Sequence, residues 1–382
     1  MNVLFVATTL HRGGAEMHLL LLARGLRAHG ITAEVAFLRA DVAGGSVDLR
    51  ETFEREGIRT HYLGSERFYD PRAAVRLHRL LRSRQWDVVH SHLPRADAAA
   101  ATCKLLMPRQ VWISTLHHPY DDSAYSAAAL IPVLAPMWRL ANGVIAVSEP
   151  VREWAIRRLR LNAGTVRTVV HGVGPDAPDA SEFTPPGACC VGSIGRYEAR
   201  KGHETLIRAM VPLLREFPHA RLKIAGHDPW GHGAVLRGLI AELGLQQHVD
   251  LVGFTDDKRA FFVDVDVFAF ASRSEGFGIV VIEAMHAGKP VVVSDISPLR
   301  DIINPGHSGL VAEPDNPDSF AAAIGSLFRN RADLARIGDE ARRRVEAEFS
   351  YQRMIERTIA FYRDVTAATP VRAAGASHQV VP

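Results

Sequence analysis

The chain has 382 residues, 47% hydrophobic and 23% charged, with 45 Lys and Arg against 42 Asp and Glu. Those proportions describe a folded globular protein, and the length exceeds what one core normally fills, so two domains are expected. A net charge of +3 is too small to argue for a nucleic-acid partner, and Cys103, Cys189 and Cys190 make neither a disulfide framework nor a zinc spacing.

The first ten residues, MNVLFVATTL, lack the basic region and cleavage pattern of a signal peptide. Together with the cysteine usage, this implies a cytoplasmic protein. The most apolar window, 124–148, is broken by Pro132, Pro136, Arg139 and Asn142. It is too interrupted to cross a bilayer and reads as a buried helix pair.

A strand over Val3 to Ala7, a helix from Ala15 to near Gly30 and a strand over Ala33 to Leu38 begin a β-α-β series. The loop between the first strand and helix has no G-x-G-x-x-G pattern, so it does not predict a dinucleotide site. It carries Gly13 and Gly14 at the helix N-terminus and Glu16 in the first turn. Such a pair fits a tight turn or an anion or substrate contact equally well.

Arg72 to Trp86 predicts a basic amphipathic helix, with Arg72, Arg76 and Arg79 on one face. DVVHSH (87–92) predicts a buried strand. Its His90 and His92 lack a third ligand nearby and do not make a metal site. The strand VWISTL (111–116) delivers His117 and His118 at its carboxyl end, where open α/β sheets bind ligands. GVIAVS (143–148) is another strand. The following helix, to Leu161, carries Arg152, Arg157, Arg158 and Arg160. That face suits solvent, or peripheral contact with an anionic membrane. A strand over Val166 to Val170 precedes HGVGPDAPDASEFTPPG, the clearest linker, which puts the domain boundary near residues 174–187.

The second half repeats the alternation. Strands are expected at 190–194, 222–225, 249–253, 267–271, 291–293 and 310–312. Helices are expected at 203–217, 235–243, 257–264, 317–329, 331–349 and 351–365. The tail, 366–382, has a disordered composition. Within this half, EGFGIVVIEAMHAGKPVVV (275–293) reads as a glycine turn, a short apolar helix ending at Gly288, and a β-branched strand. The turn would aim backbone N–H groups at an anion. Glu283, set in an apolar helix, needs a partner, and a ligand is the expected one. Arg196 and Lys201, in GRYEARKG, lie on another strand-to-helix loop and would suit a diphosphate.

GRYEARKGHETLIRAM, LKIAGH, VDLVGFTDD and EGFGIVVIEAMHAGKPVVVSD resemble the donor domain of family 4 of the retaining, nucleotide-sugar-dependent glycosyltransferases. RGGAE, DVVHSH, STLHH and IAVSE resemble its acceptor domain. The resemblance runs from about Asn2 to Asp364 and implies the GT-B fold, two Rossmann-like α/β domains facing each other across a cleft. Residues 1–178 would bind the acceptor and 186–350 the donor, with the helix over 351–365 packing back on the first domain.

The resemblance implies that Glu283 holds the ribose and Glu275 the sugar hydroxyls. The backbone of Phe277, Gly278 and Ile279 would lie against sugar or phosphate, and Arg196 and Lys201 would stabilise the departing diphosphate. Gly13 and Gly14 would approach the phosphates or acceptor with Glu16 in support, and His117 would sit beside the reacting sugar, with His118 on the acceptor side. The implied donor is a UDP- or GDP-sugar, with no metal or other cofactor. The acceptor is a glycan, a lipid-linked compound or a small molecule, met in the cytoplasm or at the inner face of the membrane. One departure is His171-Gly172-Val173-Gly174, where the family often shows Asn-Gly-Val-Asp. Rival readings are a sugar-nucleotide epimerase, a phosphorylase, and a non-catalytic nucleotide-sugar or glycan-binding protein.

Overall fold

A computed structural model describes residues 1–40, 48–65, 70–120, 131–178 and 189–369. The strands of the first half are β1 (Asn2–Ala7), β2 (Thr32–Phe37), β3 (Thr60–Tyr62), β4 (Val88–His92), β5 (Trp112–Leu116), β6 (Gly143–Ala146) and β7 (Val166–Thr168). Those of the second are β8 (Cys190–Ile194), β9 (Arg221–Ala225), β10 (Val249–Gly253), β11 (Val267–Phe270), β12 (Val291–Ser294) and β13 (Leu310–Ala312). Most are short apolar runs buried throughout, as a sheet covered on both faces requires. All pairings within both sheets are parallel.

The two sheets have the same winding. The first runs β3-β2-β1-β4-β5-β6-β7 and the second β10-β9-β8-β11-β12-β13. Strand order reverses between β1 and β4 and between β8 and β11, and ligands of doubly wound sheets bind at the carboxyl ends beside such points. The loops holding Gly13, His117, Arg196 and Glu275 follow β1, β5, β8 and β11.

The first sheet has an apolar core on each face, the second has one of its own, and a fourth apolar cluster joins the two halves. It packs Leu116, Ala146 and Val147 from the first half with Phe277, Val281 and Ile282 from the second. The last helix, Tyr351–Ala368, leaves the second domain and buries Ile355, Ile359, Phe361 and Tyr362 among Leu19, Leu22 and Leu26 of the Gly14–Ala28 helix. A Cβ at Gly25 would lie 2.3 Å from Ile355, so the two helices meet at a position without a side chain.

The structure adds elements that periodicity does not announce: β3, the Arg50–Arg55 helix, the Pro94–Leu106 helix and the Leu299–Ile303 helix. PRADAAAATCKLL has no apolar stripe, yet tertiary packing buries its alanines and Asp97. In the basic helix, Pro71–Ser83, it is Ala73, Ala74, Leu77 and Leu81 that are buried, while Val75 is exposed. Of the apolar window 124–148, only one helix is described, Ile131–Trp138, followed by β6; residues 121–130 lie outside the described residues. So do 179–188, most of the expected linker, and 370–382 of the tail.

Candidate functional site

The turn after β11 and the loop after β8 meet in ion pairs. Lys201 Nζ donates to Glu275 Oε1 at 2.5 Å, and the Ser272 hydroxyl donates to the same oxygen at 2.7 Å. Arg200 lies 3.9 Å from that oxygen and donates to the Ser274 carbonyl at 2.7 Å. Burial pushes the Glu275 carboxyl up, but Lys201 and Arg200 outweigh it and hold the group below its ordinary value. Burial lowers Lys201. Arg196 is more open, its guanidinium 5.2 Å from the exposed Trp230 ring and 3.4 Å from Glu198.

Gly278, at φ 118°, caps the Ile279–His286 helix in a conformation that L side chains avoid. Glu283 lies one turn into that helix. Its expected partner was a ligand; the structure gives it Lys258, whose Nζ reaches both carboxylate oxygens at 2.6 Å. The awkward carboxylate is therefore satisfied by the protein itself.

The first domain closes on this turn. A Cβ at Gly276 would lie 1.8 Å from the His117 carbonyl oxygen, so the two backbones touch where no side chain fits. The Ser148 hydroxyl caps the Glu149–Arg158 helix by accepting from Val151 N, and donates to the Gly276 carbonyl at 2.7 Å. His118 Nε2 lies 3.4 Å from the Ser274 hydroxyl. Ile279 comes within 3.8 Å of where a Cβ on Gly14 would sit. Arg12 pairs with Asp256 across the cleft. Phe277 packs its ring 5.1 Å from His171. Glu16 lies over the Gly13 turn, 3.4 Å from the Thr9 hydroxyl, and burial pushes its carboxyl up to about 7 against the pull of Thr9 and Arg196.

Behind His117 stands a group of imidazoles. His92 Nδ1 is 2.9 Å from His117 Nε2, and His18 Nδ1 is 2.8 Å from His171 Nδ1. The ring of His117 stacks 5.9 Å from His171 and meets His18 edge-on at 5.6 Å. His90 bonds Tyr362 of the last helix and Thr115. Burial pushes His90 and His117 down to about 3, and pushes His18, His92 and His171 well below their ordinary value. All five are therefore neutral at physiological pH. Among the described residues no group of three or more His, Cys, Asp or Glu is arranged to hold a metal ion.

The glycosyltransferase family 4 model matches residues 12–177, and the model for glycosyl transferases group 1 matches 180–344. Over 349 residues the chain is 30% identical to the phosphatidyl-myo-inositol mannosyltransferase of Mycobacterium leprae, covering 87% of this chain and 89% of that protein. The chain belongs to glycosyltransferase family 4. It is also 33% identical to the D-inositol 3-phosphate glycosyltransferase of Nocardia farcinica, over 66% of this chain and 61% of that one. In fold it matches Anabaena HepE, solved with UDP and glucose, at TM-score 0.82 and 20% identity over 94% of this chain and 98% of that one. Sucrose-phosphate synthase from Thermosynechococcus elongatus matches at 0.79 and 21% identity over 96% of this chain and 100% of that one. The chain is thus a glycosyltransferase of GT-B architecture.

For this family 4 enzyme the structure gives contacts that sequence reasoning did not assign. Arg200 and Ser272 hold Glu275, Lys258 holds Glu283, Ser148 joins the domains, and His18, His92 and His171 surround His117. Arg200 lay in the same GRYEARKG run, but spacing alone does not tell which of three cations turns inward. The Ala199–Lys201 turn ended by left-handed Gly202 decides that.

Proposed function

We propose that the enzyme transfers a hexose from a UDP- or GDP-sugar to an acceptor hydroxyl with retention at the anomeric carbon. What carries this reading is the convergence of the Arg196, Arg200 and Lys201 loop on the Glu275–Gly278 turn, opposite His117. Cations beside a glycine-opened helix N-terminus suit a diphosphate. In this reading Arg196 and Lys201 take the charge that grows on the leaving diphosphate as the sugar becomes oxocarbenium-like, with no metal needed. Glu275, released from part of its ion pair, receives sugar hydroxyls, and Glu283 receives the ribose as Lys258 yields one oxygen. The backbone of Phe277, Gly278 and Ile279 lies along sugar or phosphate, and Gly13, Gly14, Glu16 and His118 border the acceptor.

The acceptor class we favour is lipid-linked, in glycolipid or glycan assembly, because the Mycobacterium leprae relative is named for transfer to phosphatidyl-myo-inositol. No helix among the described residues is long and apolar enough to cross a membrane. Contact would then be peripheral, at the inner face, and salt-sensitive flotation with anionic vesicles tests it. The main test is a thermal-shift screen with UDP, GDP and ADP and their sugars, followed by product analysis. Stabilisation by one UDP or GDP pair, and an α-linked product insensitive to EDTA, are expected. An inverted product, or turnover only with added divalent metal, overturns the reading.

A further inference from the structure

His92 ends β4 and His117 follows β5. The two strands pair in parallel with His92 opposite Thr115, which brings the rings together. Their facing nitrogens, His92 Nδ1 and His117 Nε2, are 2.9 Å apart. Both rings are neutral, so one nitrogen donates and the other accepts. The remaining nitrogen of His92, Nε2, is buried and meets no hydrogen-bond partner among the described residues. A buried N–H without an acceptor is the rarest of unpaired groups, because it forfeits a hydrogen bond that water would have supplied, whereas an unused lone pair is better tolerated. The proton of His92 therefore belongs on Nδ1, where it is donated to His117 Nε2. With its Nε2 accepting, His117 carries its own proton on Nδ1.

We propose that His92 is a positioning residue that locks His117 as the Nδ1–H tautomer, so that His117 offers a hydrogen-bond donor to an oxygen of the bound sugar donor. The inference rests on the reading above, in which His117 lies beside the reacting sugar. His18 and His171 brace the same ring, edge-on and stacked, so it cannot swing away to another partner. The chemistry favours a donor here. Sugar hydroxyls accept as well as donate, and phosphate oxygens only accept, so a bare lone pair at Nδ1 would repel a departing diphosphate.

The test uses the full chain with ¹⁵N-labelled histidine. Long-range ¹H–¹⁵N correlation, assigned by comparison with His117→Gln, should show His117 protonated at Nδ1 and His92 likewise. His92→Phe should shift His117 toward the Nε2–H form. Acceptor-free release of UDP or GDP from the sugar nucleotide should fall about 10- to 100-fold in kcat, the scale typical of losing the outer partner of an oriented histidine, with little change in KM. His92→Asn, whose amide N–H can make the same bond, should restore most of it. Nε2-protonated His117 in the wild-type chain overturns the proposal whether or not the variants fold. Wild-type kcat in His92→Phe, with His117→Ala inactive, overturns it while leaving the wider reading intact. Full activity in His117→Ala removes both.

Discussion

On the second-domain wall of the cleft, Lys201 and Arg200 lie 2.5 and 3.9 Å from the same Glu275 oxygen, and Lys258 meets Glu283 at 2.6 Å. On the first-domain wall His18, His92, His117 and His171 pair ring to ring with every imidazole neutral. The charged wall can exchange partners: cations already desolvated in folding lose little more on turning from a carboxylate to a diphosphate. The neutral wall cannot attract the diphosphate and instead shapes and orients. In the proposed reading, affinity for the donor and placement of the reacting sugar fall to opposite surfaces, which touch at Gly276 and His117.

The charged wall is broken most sharply at Arg196. Its side chain is 48% exposed and its partner Glu198 keeps Arg200 at 2.7 Å, so Arg196→Ala leaves Glu198 paired. Turnover should fall ~10²–10³-fold, as for loss of one preorganised donor, with Tm nearly unchanged. Lys201→Ala is a less clean probe than the sequence implied. It leaves Glu275 buried with, among the described residues, Arg200 the one cation still beside it and the Ser272 hydroxyl its remaining donor, and should also destabilise by about 3 kcal/mol. Equal Tm losses in the two variants would show that the wall does not divide in this way.

The contact between the walls is tested by Gly276→Ala. The added Cβ meets the His117 carbonyl of the other domain, so each domain can fold but the closed arrangement cannot form. A misplacement of about 1 Å between reacting groups can cost ~10² in rate. We expect a loss of that order, unchanged unfolding, and a larger radius of gyration by X-ray scattering in the presence of nucleotide. Wild-type turnover would mean that the closed contact is not used in the reaction.

The neutral wall has a pH signature. A histidine whose folded pKa lies below 6.5 binds fewer protons folded than unfolded. Its contribution to stability is therefore whole above pH 6.5 and is lost as pH falls toward the folded value, about 3 for His90 and His117. Each such imidazole steepens the decline by up to about 1.4 kcal/mol per pH unit. Chemical denaturation between pH 7 and 5 should show stability falling, and His171→Asn should make the fall shallower. A flat profile would mean that these rings reach water or an anion.

The same contrast explains what could be read in the sequence. The charged wall sits in two short runs, GRYEARKG and EGFGIVVIEAM, where glycine turns, cations and carboxylates lie within a few residues of each other. The alternation of strands and helices placed those runs at sheet ends. The neutral wall is assembled from positions up to 153 residues apart, His18 and His171, and only the folded domain brings them together. His92 was visible as half of an H-x-H, but its partner depended on the register of β4 against β5. Lys258 was hidden in the same way, 25 residues from Glu283. The Pro94–Leu106 helix escaped because alanine gives no stripe.

The smallest expected effect belongs to Ser148, the hydroxyl that joins the walls. Its Oγ accepts from Val151 N and donates to the Gly276 carbonyl, one atom serving a helix cap and a domain contact. Ser148→Ala should remove both, about 1 kcal/mol for each. The cap is present whether the cleft is open or closed, so its loss appears in Tm. The bond to Gly276 exists only when the walls meet, so its loss appears in donor KM or in turnover, about fivefold for 1 kcal/mol. Ser148→Asn separates the two: the asparagine Oδ1 can take over the cap but, unlike the serine Oγ, carries no hydrogen to give the Gly276 carbonyl. Tm should recover in that variant while the kinetic defect persists. Recovery of both together would show that Ser148 serves only its own helix, and that closure is held by the backbone contact at Gly276 alone.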